Sequence, residues 1–521
     1  MTLEIYDTTL RDGSQQEGIS LTVGDKLRIA GLLDDLGVQY VEGGWPGANP
    51  KDDEFFRRAR SELNLSRSTL VAFGSTRRPR GSVADDAQLA ALLAAETEAI
   101  CIVGKSWDYH VREALRTDLD EGARMVGESI AFLRGQDRRV FFDAEHFFDG
   151  YRDNPGFALT TLRVALEAGA ERLVLCDTNG GTLPHQVLDT VAAVQQSLPE
   201  AQLGVHFHND SGTAVASSLA SVRAGVRQVQ GCINGYGERT GNTDLSTLIP
   251  DLVLKEGLAV LPEGHLEMLG PISHHVAEVV NITLDPHRPY VGTSAFTHKA
   301  GLHTSALARK PDAYEHADPS LVGNSTRMVV SELAGKASIV SKAEELGLEM
   351  DDDLARRVID VVKEREHQGY HYEAADGSFE LLVRGLAGWK QSYFELESFR
   401  VFTERRANEE VIAEATVKVL VDGDRVVTTG EGVGPVHALD RAIRAALRGR
   451  FPEIDGLRLT DYRVRVLDSS DGTEAFVRVL LETSDHETSW GTIGVHENVI
   501  EASWEALTEG LIIGLLRHSA R

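Results

Sequence analysis

The amino-acid sequence predicts an α/β chain in three parts: an N-terminal (β/α)8 TIM barrel, a helical connector, and a C-terminal α+β domain of two βββα repeats. Three observations carry this. Between residues 3 and 257 short apolar runs alternate with longer amphipathic ones eight times, as strand–helix units closing a parallel barrel require. No glycine-rich dinucleotide turn follows the first run, which disfavours an open doubly wound sheet. Beyond residue 388 alternating strand patterns take over, and Gly434-Pro435-Val436-His437 opening one helix is echoed by Gly494-Val495-His496 opening another, an internal repeat. A chain of 521 residues also exceeds what one hydrophobic core usually organises, roughly 250–300 residues.

In order, strands are expected at 3–6, 40–42, 70–73, 99–103, 140–143, 172–176, 203–207 and 228–231. Helical periodicity falls at 22–36, 85–95, 120–133, 155–168, 184–197, 212–224 and 244–255. From about 260 to 375 the rhythm breaks: a helix-like 272–280, then Pro286, Pro289 and Gly292, and further helices over 336–346 and from Asp351. Strands then recur at 394–401, 411–421, 462–466 and 475–482, with helices at 436–447 and 498–507. The expected division is a catalytic barrel over 1–265, a connector folding over its rim over 266–385, and a sensing and dimerising domain over 386–521, hence a homodimer.

Composition narrows the partners. A formal charge of −27 argues against nucleic acid and anionic membranes. No apolar run is long enough to span a bilayer, and Leu3-Glu4-Ile5-Tyr6 opens a strand rather than a signal peptide. Cys101, Cys176 and Cys232 each sit in an apolar run, reading as buried free thiols in a reducing cytoplasm.

Barrel chemistry sits at the carboxyl ends of the strands, where titratable residues crowd. On strand seven His206 and His208 share a face while Phe207 points away, so the two imidazoles can ligate one divalent cation; hydrogen-bonded core histidines are the plainer reading. Asp12 after strand one can add a carboxylate, or merely serve an Asp-Gly turn. Arg11 beside it suits an oxyanion or a substrate carboxylate. Glu145, flanked in sequence by Phe141, Phe142, Phe147 and Phe148, suits a buried base or a carboxylate at the cation. Asn242, after a glycine-rich turn, can ligate or hydrogen-bond there. His298 and His303 fall five apart in a loop–helix junction and need not share a face.

Three spaced motifs, Asp7-Thr8-Thr9-Leu10-Arg11-Asp12-Gly13, His206-x-His208-Asn209-Asp210 and Gly235-Tyr236-Gly237-Glu238-Arg239-x-Gly241-Asn242, resemble the pyruvate carboxylase-like aldolase superfamily. It includes the 2-isopropylmalate, homocitrate and citramalate synthases and hydroxymethylglutaryl-CoA lyase. The connector stretch from Phe296 to His303 and the C-terminal repeat resemble those of the synthases, which the lyases lack. Glu42-Gly43-Gly44-Trp45-Pro46-Gly47, Val103-Gly104-Lys105-Ser106-Trp107-Asp108 and Asp177-Thr178-Asn179-Gly180-Gly181-Thr182 depart from the isopropylmalate pattern and are similar to the citramalate synthase branch.

The resemblance implies a Claisen-type condensation of acetyl-CoA with pyruvate and thioester hydrolysis; isopropylmalate or homocitrate synthesis from a larger 2-oxo acid is the alternative. It further implies a divalent metal ion (Mn, Mg or Zn) on Asp12, His206 and His208 with Asn242 near, Arg11 at the keto oxygen, and Thr178 at the carboxylate. Glu145 is the candidate base, and His303 activates the base or the hydrolytic water. Feedback inhibition by isoleucine is expected of the C-terminal domain.

Overall fold

A computed structural model of the chain describes residues 3–298, 306, 310, 314–328, 336–391, 393–405, 411–467 and 475–520. Met1–Phe296 with Ala317–Ser325 forms one compact unit, and Thr297–His316 with Thr326–Arg521 forms another.

In the first unit eight parallel strands close into a barrel: β1 (Glu4–Asp7), β2 (Tyr40–Gly44), β3 (Thr69–Ser75), β4 (Ala99–Lys105), β5 (Arg139–Glu145), β6 (Arg172–Asp177), β7 (Leu203–Phe207) and β8 (Gln228–Gly231). Tyr6 of β1 lies opposite Tyr40 of β2 and Asp7 opposite Gly231 of β8, which removes both sheet edges. Strand alternation sorts the side chains into two cores. On β5, Phe141 turns inward and meets Tyr40 and Tyr6 at ring-centroid distances of 5.0 and 6.0 Å. Phe142 and Ala144 turn outward to the helices. The amino-terminal end is shut by ion pairs from first-of-strand residues, Arg172 to Glu4 at 2.9 Å and Arg139 to Glu171 at 2.7 Å. The carboxyl end is left open for chemistry.

The helices start where capping residues stand. Thr22 and Asp25 form a reciprocal capping box on Val23–Leu36, and Asp118 accepts from Glu121 N–H to open Leu119–Arg134. The barrel unit runs past the expected boundary at 265. Helix Leu269–Val279 buries Leu269, Ile272 and Val276 in the same outer core as the barrel helices, each burial contributing roughly 1.5–3 kcal/mol.

In the second unit β9 (Thr297–His298) pairs in parallel with β10 (Arg327–Met328). Two antiparallel sheets follow: β11 (Glu395–Arg405), β12 (Val411–Val421) and β13 (Asp424–Gly432), then β14 (Arg458–Val466), β15 (Val477–Ser484) and β16 (Ser489–His496). Each is succeeded by a helix, Pro435–Leu447 and Val499–Ala520, the two βββα repeats read in the sequence. Ala413, Ala415, Val417 and Val419 of β12 bury every second side chain in a core shared with Leu439, Ile443, Leu507 and Leu511. Helix Asp376–Leu386, placed with the connector from sequence, joins this domain, because Asp376 Oδ1 and Ser378 Oγ accept from Gly491 and Ile493 N–H of β16 at 2.8 and 2.9 Å. Among the described residues no helix is long and apolar enough to cross a membrane.

Candidate active site

The turn after β1 brings Asp12 over the barrel mouth. Asp7 accepts from Thr9 N–H at 2.8 Å and Thr9 Oγ1–H at 2.9 Å, and Thr8 O accepts from Arg11 and Gly13 N–H at 3.1 and 3.0 Å. The chain so curled delivers Arg11 and Asp12 from adjacent positions to one place. His206 and His208 arrive from β7 on the same face, while Phe207 packs outward 5.6 Å from the ring of Phe148. Asp12 Oδ2 lies 3.1 Å from His206 Nε2 and 3.4 Å from His208 Nε2, and all three residues are buried. One ligand atom from each falls within 4.8 Å of the others.

Asn242 comes beside His208 from the motif after β8. It pairs with His208 in an isolated antiparallel bridge, and its Nδ2 donates to Tyr236 O at 3.0 Å. Its Oδ1 is buried without a hydrogen-bond partner among the described residues. Two glycines make room for this turn. A Cβ on Gly237 would stand 2.2 Å from Asn242 Nδ2, and one on Gly241, at φ +89°, would stand 2.0 Å from Gly235 O. Two imidazole nitrogens and a carboxylate oxygen are a donor set that fits a divalent cation.

Neighbouring groups orient these donors. Gln230 Nε2 donates to Asp143 Oδ1 at 3.0 Å, which turns Gln230 Oε1 to accept from His206 Nδ1–H at 2.9 Å. With Nδ1–H so engaged, His206 keeps Nε2 turned toward Asp12, where it donates to the carboxylate when protonated and offers a lone pair to a cation when neutral. Arg239, paired with Asp210 at 2.8 Å, donates to His208 Nδ1 at 2.8 Å, so neutral His208 carries its proton on Nε2. A cation held at that nitrogen would require the other tautomer, with the proton on Nδ1 in place of the Arg239 hydrogen bond. Burial by itself raises the Asp12 pKa, but the Arg11 charge and the hydrogen bonds from both histidines outweigh it and hold Asp12 well below the usual carboxylate range. Burial works against the charge of His206, and Asp12 overcomes it to raise the imidazole. Burial pushes Asp143 up against the opposing charges of His206 and Arg11.

Arg11 is pinned on two sides. Its Nε donates to Glu42 Oε1 at 2.5 Å, and its guanidinium carbon lies 3.8 Å above the Phe73 ring. Tyr6 Oη–H holds the other oxygen of Glu42 at 2.6 Å. Burial opposes the Arg11 charge; Glu42 and Asp12 more than restore it.

A cavity of about 430 Å³ opens over this group, lined among others by Arg11, Asp12, Thr178, Glu145, His206 and His208. Thr178 Oγ1 accepts from His146 N–H at 2.9 Å, which leaves its own proton for the cavity. Glu145 is half-buried and ion-paired with Lys105. The aromatic pocket inferred for it from sequence is not there: Phe142, Phe147 and Phe148 belong to the outer core, on the opposite side of the strand. His303 lies outside the described residues; His298 sits on β9 in the second unit, with Nε2 3.9 Å from Glu315.

Sequence reasoning named no role for Glu42, Asp143 or Gln230. The signal was present as polar residues on the inward parity of apolar strands: Glu42 in step with Tyr40, Asp143 with Phe141, and Gln230 flanking the outward Val229.

The HMGL-like family model matches residues 2–273, the homocitrate synthase post-HMGL domain-like model residues 290–369, and the LeuA allosteric (dimerisation) domain model residues 373–512. A (R)-citramalate synthase of Streptomyces coelicolor is 54% identical over 99% of this chain and 97% of its own length. Counterparts from Aquifex aeolicus and Sulfolobus acidocaldarius are 49% and 44% identical, each over 98% of this chain and 98% and 96% of their own lengths. A match of the HMGL-like model to more than half the chain, and identities of 44–54% running from end to end, mean that the chain belongs to the HMGL-like family and, within it, to the (R)-citramalate synthases.

Proposed function

We propose that the barrel condenses acetyl-CoA with pyruvate and water to give citramalate and CoA. The observation that carries this is the convergence of Asp12, His206 and His208 with Arg11 on one cavity at the carboxyl end of a closed barrel, in a member of this family. A divalent ion (Mn, Mg or Zn) bound by Asp12, His206 and His208, with Asn242 Oδ1 beside it, supplies Lewis-acid polarisation of the keto carbonyl. Arg11, held rigid by Glu42 and Phe73, points its remaining N–H groups at the oxygen on which charge develops, so no reorganisation is needed during reaction. Thr178 donates its hydroxyl to the pyruvate carboxylate. Glu145 takes a methyl proton from the acetyl group. The resulting carbon nucleophile attacks the keto carbon, one C–C bond forms, and water then cleaves the thioester to release CoA thiol. His303, by the family pattern, activates the base or that water.

The LeuA allosteric model over the C-terminal repeats supports a homodimer that senses isoleucine and shuts the barrel down, a first step toward isoleucine. Three free, buried cysteines suit a reducing cytoplasm.

The test is release of free CoA thiol with acetyl-CoA and either pyruvate or 2-oxoisovalerate, before and after chelation and re-addition of Mn, Mg or Zn. Pyruvate should win and chelation should stop release. Preference for 2-oxoisovalerate makes the enzyme an isopropylmalate synthase. His206→Ala should lose turnover and metal retention together, and near-normal activity there removes the cation site. Flat activity across rising isoleucine removes the proposed effector.

A further inference from the structure

We propose that the loop after β3 docks the phosphate-bearing end of acetyl-CoA, with Arg78 as the side chain that binds phosphate. The inference rests on the reading of acetyl-CoA as acyl donor. In a chain of net charge −27, Arg77, Arg78 and Arg80 fall within four consecutive residues. This cationic cluster stands at the carboxyl end of a barrel strand, and Arg77 and Arg78 line the same cavity as Asp12 and the two histidines.

The three arginines are not equivalent. Arg77 is buried and spent on Glu121 and Glu128, each at 2.7 Å. It and its neighbours anchor the loop backbone. Arg77 N–H donates to Ser129 Oγ at 2.9 Å, Arg78 N–H to Asp86 Oδ2 at 2.9 Å, and Arg80 N–H to Glu121 Oε1 at 2.7 Å. Arg80 is held at φ +61°, a conformation that an arginine adopts only when its surroundings impose it. The loop is therefore a built platform. Arg78 and Arg80 both keep exposed side chains with no carboxylate partner among the described residues, and of the two only Arg78 lines the cavity. Among the described residues, the other cations lining the cavity are taken: Arg11 by Glu42, Arg77 by its two glutamates, and Lys105 by Glu145. Arg78 alone of the four has no carboxylate partner there. The exposed acid of the mouth, Glu238, is faced by Arg239 at 3.8 Å.

Size points the same way. About 430 Å³ is at the lower end of pockets that take drug-sized ligands, and acetyl-CoA is larger than such a ligand. With the thioester beside the 2-oxo acid deep in the cavity, the nucleotide end must leave through the mouth. A guanidinium there meets a diphosphate and a 3′-phosphate with bidentate, charge-assisted hydrogen bonds.

The experiment measures kcat and KM of full-length wild type, Arg78→Gln and Arg78→Lys with two acyl donors, acetyl-CoA and acetylpantetheine, which carries the same thioester and no phosphate. For Arg78→Gln we expect KM for acetyl-CoA to rise about 10- to 50-fold, with kcat and KM for pyruvate within about twofold. Arg78→Lys should recover part of the loss, and with acetylpantetheine all three proteins should agree. The wild-type advantage should also shrink as salt rises. An unchanged KM for acetyl-CoA overturns the proposal, as does an equal loss with both donors, which assigns Arg78 to cavity shape. Absence of thiol release from the wild type with acetyl-CoA instead overturns the reading on which the proposal rests.

Discussion

Replacing Gln230 with Leu tests whether the barrel interior sets the metal site's readiness. Gln230 is fully buried and bridges two buried groups, accepting from His206 Nδ1–H at 2.9 Å and donating to Asp143 Oδ1 at 3.0 Å. Leucine fills the same space and removes both bonds, leaving a buried imidazole N–H unpaired and Asp143 with Cys101 as its remaining hydrogen-bond partner. An unsatisfied buried group costs ~1–3 kcal/mol, so the barrel should lose at least about that much stability. Without its acceptor, His206 is free to rotate or change tautomer, and loss of such an orienting partner weakens metal affinity about 10- to 100-fold. Titration with Mn2+ followed by electron paramagnetic resonance reads the affinity, and thermal unfolding reads the stability. Gln230→Glu separates the two effects: it keeps an acceptor for His206 but sets a second carboxylate against Asp143, so stability should fall while affinity holds better than in the Leu variant. A Leu variant that binds Mn2+ within twofold of wild type would refute the orienting role, whatever its stability.

Three further perturbations probe other parts of the molecule. Glu42→Gln leaves Arg11 with a neutral partner and a weaker anchor; kcat should drop about 10- to 100-fold, with little change in KM for pyruvate, in the thiol-release assay. Glu145→Gln should reduce kcat about 10²- to 10⁴-fold and slow deuterium exchange at the acetyl methyl, as removal of a general base does; normal exchange would clear Glu145 of that role. Glu509, half-buried on the C-terminal helix against Ser378, is pushed by desolvation up to about 7 from an ordinary 4.5. A carboxyl whose folded pKa is raised contributes stability that is fully present below about pH 4.5 and lost as pH rises through 7. The thermal transition of the C-terminal domain in Glu509→Gln should therefore gain on wild type between pH 5 and about 7.5, and parallel profiles would contradict the shift.

The sequence by itself determined the barrel and the repeat and put His206 and His208 on one face, because each is written in local periodicity. Alternation on β7 put His206 and His208 on one face before any partner was known, and helical periodicity marked the barrel helices. The two βββα units were legible for the same reason: a strand with one buried face, such as β12, must alternate. Closure of the barrel decided the rest. Only there does Gln230 of β8 reach Asp143 of β5, and only there does Glu42 of β2 reach Arg11 beyond β1. Linear neighbourhood misled for Glu145: Phe142 points to the other face of β5 by strand alternation, and Phe147 and Phe148 lie beyond the strand on a helix that packs into the outer core. The domain limits moved for a related reason. Helix Leu269–Val279 joined the barrel core, and helix Asp376–Leu386 packs in one core with both the connector helix Asp352–His367 and β16, because burial, not composition, assigns a helix to a core.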